Sequence, residues 1–298
     1  MCNESNKNNS VKQFDIYIYH ASCSDGLTAV GIAALLKQDS DDRYLTKPAA
    51  YGTRLNIEQM RDKRVCFLDF SVSKEVMLEI LDVAKCVTVI DHHVSVHAEL
   101  MEIDHPNFEY VYDINQSGAQ LAWDYFMGTP QPYFVKLIGD RDIWTKKYPD
   151  ADILSLALRV EDWYFSDMLC HIAAVKDHND DHPGEVDDAT RDLIGEGRSY
   201  QKYHTYLVKQ VASHAVKVKL NDGKEAMAVN CPLGLASDVG NYLAEHNKCG
   251  VALMYHHVRG KATSYSIRVA EDCEWDASVY AKTLGGGGHR KAAGYSVA

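Results

Sequence analysis

The chain has 298 residues, 46% of them hydrophobic and 24% charged, enough for a substantial core and, by length, about two domains. A formal net charge of −11 argues against a protein that coats long nucleic acids, long duplex DNA included, by neutralising phosphates. The polar N-terminus carries no apolar signal core and no apolar stretch reaches the ~18 residues of a membrane span, so a cytoplasmic protein without membrane contact is expected.

Residues 1–13 read as a disordered polar tail. Residues 14–20 predict a first strand and 27–37 a helix. The turn between them holds His20, Cys23, Asp25 and Gly26, three metal-ligand types in a tight bend where glycine lets the backbone turn. Asp25 equally suits a plain helix cap. Residues 64–70 predict another strand, apolar except for Asp69 near its carboxyl end, and a helix follows over 74–83. Val87, Thr88, Val89 and Ile90 then form a strand that runs straight into Asp91, His92 and His93. Strands that each end in metal-ligand residue types, alternating with helices, predict a doubly wound α/β fold with a site along the carboxyl ends of its strands.

An amphipathic helix is expected over 117–126. A further apolar run, 134–139, leads to Asp140, which adds another strand-end carboxylate. Residues 177–188 crowd acids and two histidines around a Pro-Gly break and read as a solvated acidic linker, with a connecting helix over 189–213. Strands at 226–230, 250–255 and 264–269, with a helix at 235–246, predict a second, smaller domain over 216–298. It ends in four glycines at 285–288, then His289, Arg290 and Lys291. A glycine run is costly to order and has no side chain to pack, whereas its N–H groups and the adjoining cations suit a phosphate or carboxylate. Eight cysteines without a C-x-x-C pair predict free thiols.

In order and spacing, His20-x-x-Cys23-x-Asp25-Gly26, Asp69, Asp91-His92-His93, Asp140 and Gly286-Gly287-Gly288-His289 resemble the DHH phosphoesterase superfamily with a C-terminal DHHA1 domain, over nearly the whole chain. The resemblance implies a doubly wound, mostly parallel DHH domain over 14–176, joined through 177–215 to a smaller α/β DHHA1 domain over 216–298. It also implies a two-metal hydrolase, usually manganese-dependent. His20 and the position of Cys23 would hold the first ion, Asp25, His92 and Asp140 the second, and Asp69 would bridge them. Carboxylates and imidazoles suit Mn²⁺, and two ions ~3.5–4 Å apart both activate water and stabilise phosphoryl oxygens. Asp91 is expected to orient an imidazole, and His93 to contact the phosphate or act as a general acid. Gly286, Gly287, Gly288, His289 and Arg290, together with Arg268, are expected to bind substrate.

Cys23 stands where most members have the first aspartate of D-x-D-G. A thiolate is softer than a carboxylate and must lose a proton first, which opens the first site to Zn²⁺ or Fe²⁺ or to weak occupancy. The family includes nanoRNases, linear and cyclic dinucleotide phosphodiesterases, nucleoside bisphosphate phosphatases and RecJ-type exonucleases. The expected activity is metal-dependent hydrolysis of short oligonucleotides or dinucleotides to mononucleotides, preferring substrates of two to five nucleotides over strands longer than about twenty, because an acidic chain has little charge to line a long exit channel. Bisphosphate or cyclic dinucleotide hydrolysis is an alternative, and a degenerate nucleotide-binding regulator is the alternative of another class.

Overall fold

The computed structural model describes residues 13–21, 23–36, 44–257 and 260–297, in two compact units, residues 1–200 and 201–298. Residues 1–12 of the expected tail lie outside the described residues.

The first unit runs β1 (Ile16–His20), α1 (Ser24–Leu35), β2 (Leu45–Ala49), β3 (Arg64–Leu68), α2 (Lys74–Leu81), β4 (Cys86–Asp91), α3 (His97–Leu100), β5 (Phe108–Tyr112), α4 (Gly118–Phe126), α5 (Tyr133–Asp142), α6 (Ala151–Glu161), α7 (Phe165–Asp181) and α8 (Asp188–Ala212), whose last residues belong to the second unit. Its strands form one sheet in the order β2-β1-β3-β4-β5, every pairing parallel. Successive side chains of a strand face opposite ways. Ile16, Ile18, Val65, Phe67, Val87 and Val89 therefore join one buried layer, with Met77 and Ile80 of α2. Tyr17, Tyr19, Cys66, Leu68 and Ile90 join the other, against α1, α4, α5 and α7. Covering on both faces explains why these strands read as nearly continuous apolar runs. The expected doubly wound sheet is thus present, with two strands added at its edges: β2, where Pro48 is tolerated because an edge leaves one side unpaired, and β5.

Two expectations need correction. The run before Asp140 is no strand: residues 133–142 form α5, whose Phe134, Val135, Leu137 and Ile138 are buried at helical spacing. Residues 177–188 are mostly exposed, as expected, but they are no linker between the units: they lie within the first unit, where α7 continues through Asp181 and α8 starts at Asp188. Asn179 is buried and donates to the Pro130 carbonyl, and buried Asp187 accepts from the Thr190 N–H to cap α8.

The second unit adds β6 (Val216–Lys219), β7 (Glu225–Asn230), α9 (Ala236–His246), β8 (Val251–His256), β9 (Thr263–Val269), α10 (Ala277–Thr283), β10 (Gly287–Gly288) and β11 (Ala292–Val297). Its sheet runs β10-β11-β9-β8-β7-β6 and is antiparallel except for β7–β8. Among the described residues no helix is long and apolar enough to cross a membrane.

Candidate metal centre

In a sheet of order 2-1-3-4-5 the chain leaves in opposite directions from β1 and β3, and the crevice beyond their carboxyl ends is where such folds bind ligands. β1 ends on His20, and Asp69 follows β3 directly, in the left-handed region with φ 53°. The turn into α1 carries Cys23 and Asp25. A Cβ at Gly26 would lie 2.5 Å from the His20 carbonyl oxygen, so glycine alone permits that turn. β4 ends on Asp91 and brings in His92 and His93.

Three overlapping sets of donor atoms result, each with its members within 4.8 Å of one another: His20, Cys23 and Asp69; Asp69, His92 and His93; and Asp25, His92 and Asp142. The Asp69 carboxylate is common to two of them. Its oxygens lie 3.4 Å from His20 Nδ1 and 3.2 Å from His92 Nε2, and His92 Nε2 is also 3.2 Å from Asp142. Asp25 does not cap its own helix. Its oxygens accept from the backbone N–H of Gly118 (2.7 Å) and Ala119 (2.9 Å), at the start of α4, where the helix dipole favours an anion. Asp91, fully buried, accepts from the His92 N–H at 2.8 Å and lies 2.7 Å from His93 Nδ1, while Ser71 Oγ donates to its other oxygen at 2.6 Å. The imidazole oriented by Asp91 is that of His93.

Charge is concentrated here. Burial, then the Asp69 and Asp142 carboxylates, raise Asp25 well above the usual carboxylate range. Burial and Asp69 push Asp142 up to about 6. Burial alone would raise Asp69 too, but the imidazoles of His20, His92 and His93 facing it hold it low. Burial would depress His92, yet Asp69, Asp142 and Asp25 outweigh it and lift the imidazole to about 9. Burial and the same three carboxylates keep the Cys23 thiol well above its ordinary value, so ligation there must displace a proton.

Both Asp69 oxygens and His92 Nε2 are buried without a partner of hydrogen-bonding geometry. Donors of this kind, oxygen and nitrogen crowded around a shared buried carboxylate, suit divalent cations. The residues present fit such a centre.

Asp140 is not part of it. Its carboxylate accepts from Thr145 Oγ1 and from the backbone N–H of Lys147 (2.7 Å) and Tyr148 (3.2 Å), tying down the loop after α5. Asp142, two residues on, occupies the place expected of Asp140. Both acids stand in one Asp-Arg-Asp sequence, which signals a carboxylate but not which one.

In the second unit the glycine run has a structural use that the sequence reading denied it. A Cβ at Gly286 would lie 2.1 Å from the Gly294 carbonyl oxygen, and Gly288, at φ 134°, would bring one 2.6 Å from the Ala292 oxygen. The run forms the tight β10–β11 hairpin, Gly287 included. His289 and Arg290 are exposed at its tip. Ala292 pairs with Arg268, so the hairpin and Arg268 occupy the same end of the sheet. The Arg268 guanidinium donates to Ser237 Oγ and the Ile267 carbonyl, and that of Arg290 to the Glu274 carbonyl.

No protein-family model matches the chain. It is 28% identical over 296 residues to an uncharacterized protein of Acanthamoeba polyphaga mimivirus, covering 95% of this chain and 67% of that protein. The RecJ structure from Thermus thermophilus, in complex with Mn²⁺, aligns at 16% identity and a TM-score of 0.49, over 96% of this chain and 50% of RecJ. A solved DHH domain described as a member of the s1p family of ribosomal proteins superposes with a TM-score of 0.58 at 15% identity, over 95% of this chain and 82% of that domain. The chain has the fold of the DHH-domain proteins.

Proposed function

We propose that this chain is a metal-dependent phosphodiesterase that hydrolyses short oligonucleotides or dinucleotides to mononucleotides. The observation that carries the reading is Asp69: a buried carboxylate whose two oxygens make no hydrogen bond, at the junction of two donor sets. His20, Cys23 and Asp69 would hold one cation, and Asp25, His92 and Asp142 another, with Asp69 between them. Mn²⁺ suits the carboxylates and imidazoles, and Cys23 opens the first position to Zn²⁺ or Fe²⁺. When bound, such a pair supplies Lewis acidity and an activated water for in-line displacement at phosphorus.

The chain's own residues set the geometry. The N-terminus of α4 fixes Asp25, and Asp91 holds His93 by Nδ1 and, with Asp69, favours its protonated form, in which the other ring nitrogen donates to a phosphate oxygen. His289, Arg290 and Arg268 would bind substrate anions in the second unit. The ordered motifs of the sequence, and a net charge of −11 that disfavours long polyanions, support a small phosphodiester as substrate.

The test is release of mononucleotides from a labelled dinucleotide, with and without added Mn²⁺, alongside strands of two to five and of more than about twenty nucleotides. Metal-dependent release that is faster on the short strands is expected. Faster release from long strands would favour a processive exonuclease, and tight binding without release would favour a regulator.

A further inference from the structure

Beside the metal centre, within the first unit, lies a cavity of about 810 Å³ at the carboxyl ends of β2 and β3, lined by the loop from Tyr51 to Glu58 and by Phe70, Ser71, Val72 and Val76 among others. Its volume is within the range of small-molecule sites, roughly 300–1,000 Å³. Tyr51 and Phe70 form a wall common to cavity and cluster. The Tyr51 ring centroid is 5.8 Å from that of His20, 6.0 Å from His93 and 5.6 Å from Phe70. Ser71 also lines the cavity, and its hydroxyl holds Asp91, which holds His93. Tyr51 is 56% exposed, a large ring left in solvent at the edge of a polar centre.

The wall chemistry selects among ligands. It combines aromatic and aliphatic side chains with small polar ones, one cation, Arg54, and two carboxylates, Glu58 and Glu79; Arg61 engages Glu58. Such a wall has no surplus of positive charge for a polyphosphate. It suits a flat, neutral, hydroxyl-bearing group next to a phosphate. A base stacks on an aromatic ring whatever its sequence, and carboxylates accept from sugar hydroxyls.

We propose that this cavity is the nucleoside subsite: it takes the base and sugar attached to the phosphate held at the cluster, with the base on Tyr51 and the exposed Arg54 available to a further phosphate. The inference rests on the phosphodiesterase reading and adds a base-recognition element to it.

The test compares a diadenosine dinucleotide with its counterpart lacking one base. Wild-type kcat/KM should favour the intact dinucleotide by about tenfold or more, and Tyr51→Ala and Val76→Trp, which fills the cavity, should each erase most of that preference. Arg54→Ala, an exposed change that leaves the core alone, should raise KM for a trinucleotide more than for a dinucleotide. Equal losses on intact and abasic substrates in both cavity variants would overturn the proposal, because Tyr51 would then act only through the histidines. Equilibrium dialysis of adenosine monophosphate separates the two readings. Binding that is lost in Val76→Trp, with no hydrolysis of any phosphodiester, would keep the subsite and overturn the enzyme, whereas hydrolysis with no preference for the base would do the reverse.

Discussion

Gly118 lies directly against Asp69: a Cβ at position 118 would come within 2.4 Å of the Asp69 Cβ and 3.0 Å of Asp25 Oδ2. The start of α4 thus does two things at once, donating two N–H groups to Asp25 and making room for Asp69. Gly118→Ala should cost about 1–3 kcal/mol of stability through overpacking. It should also reduce metal content, because the two carboxylates can no longer keep their places. Urea unfolding and metal analysis of the same preparation check both.

Asp142 and Asp140 should separate cleanly. Asp142→Asn removes a donor from the set with Asp25 and His92 and should lower bound metal and abolish most turnover while the fold persists. Asp140→Asn weakens the anchor of Thr145, Lys147 and Tyr148 and should cost about 1–3 kcal/mol of stability with metal content retained. The opposite pattern would return Asp140 to the centre.

Cys23 offers a test of metal preference. Cys23→Asp should shift preference toward Mn²⁺, since a hard carboxylate replaces a thiol that must first be deprotonated. Cys23→Ala should lower occupancy of the position formed with His20 and Asp69. Unchanged stoichiometry and preference in both variants would reduce Cys23 to a packing residue.

His171 should make stability depend on pH. Burial between Phe134 and Trp163 holds its imidazole down to about 4 from 6.5, against an opposing pull from Asp187. Between these values the unfolded chain binds a proton that the folded chain does not. Stability is therefore complete above the unfolded value and is lost as pH falls toward the folded one, by about 3 kcal/mol at most. His171→Phe, which keeps a ring in the same packing, should flatten that part of the profile. Parallel slopes for both proteins between pH 6.5 and 4 would show that His171 contributes nothing.

The strand ends were the legible part of this chain. His20, Asp69 and His92 each stand at the end of an apolar run buried on both faces by helices, so polar residues there stand out against a core pattern. The edge strand β2 was not legible, because it carries Pro48 and buries little. Asp140 and Asp142 differ by two residues on a helix, about 200° apart around its axis. Which of them faces the sheet depends on how α5 packs, and no local pattern records that. The use of Gly286 and Gly288 was hidden for a similar reason, since the oxygens they avoid belong to Gly294 and Ala292. Tyr51 carried no signal at all: one aromatic in a polar loop acquires meaning only beside His20 and His93.

The bond from Gly118 to Asp25 spans 93 residues, and that distance bears on how the protein is made. A ribosome-bound chain that has emerged only through β4 has neither of the amides that satisfy Asp25 nor α4 and α7, which cover α1. An unsatisfied buried carboxylate costs more than most single contacts return, so Asp25 is expected to stay in water until α4 is synthesised. A nascent chain stalled before residue 118 should therefore remain sensitive to proteolysis across the β1–α1 turn.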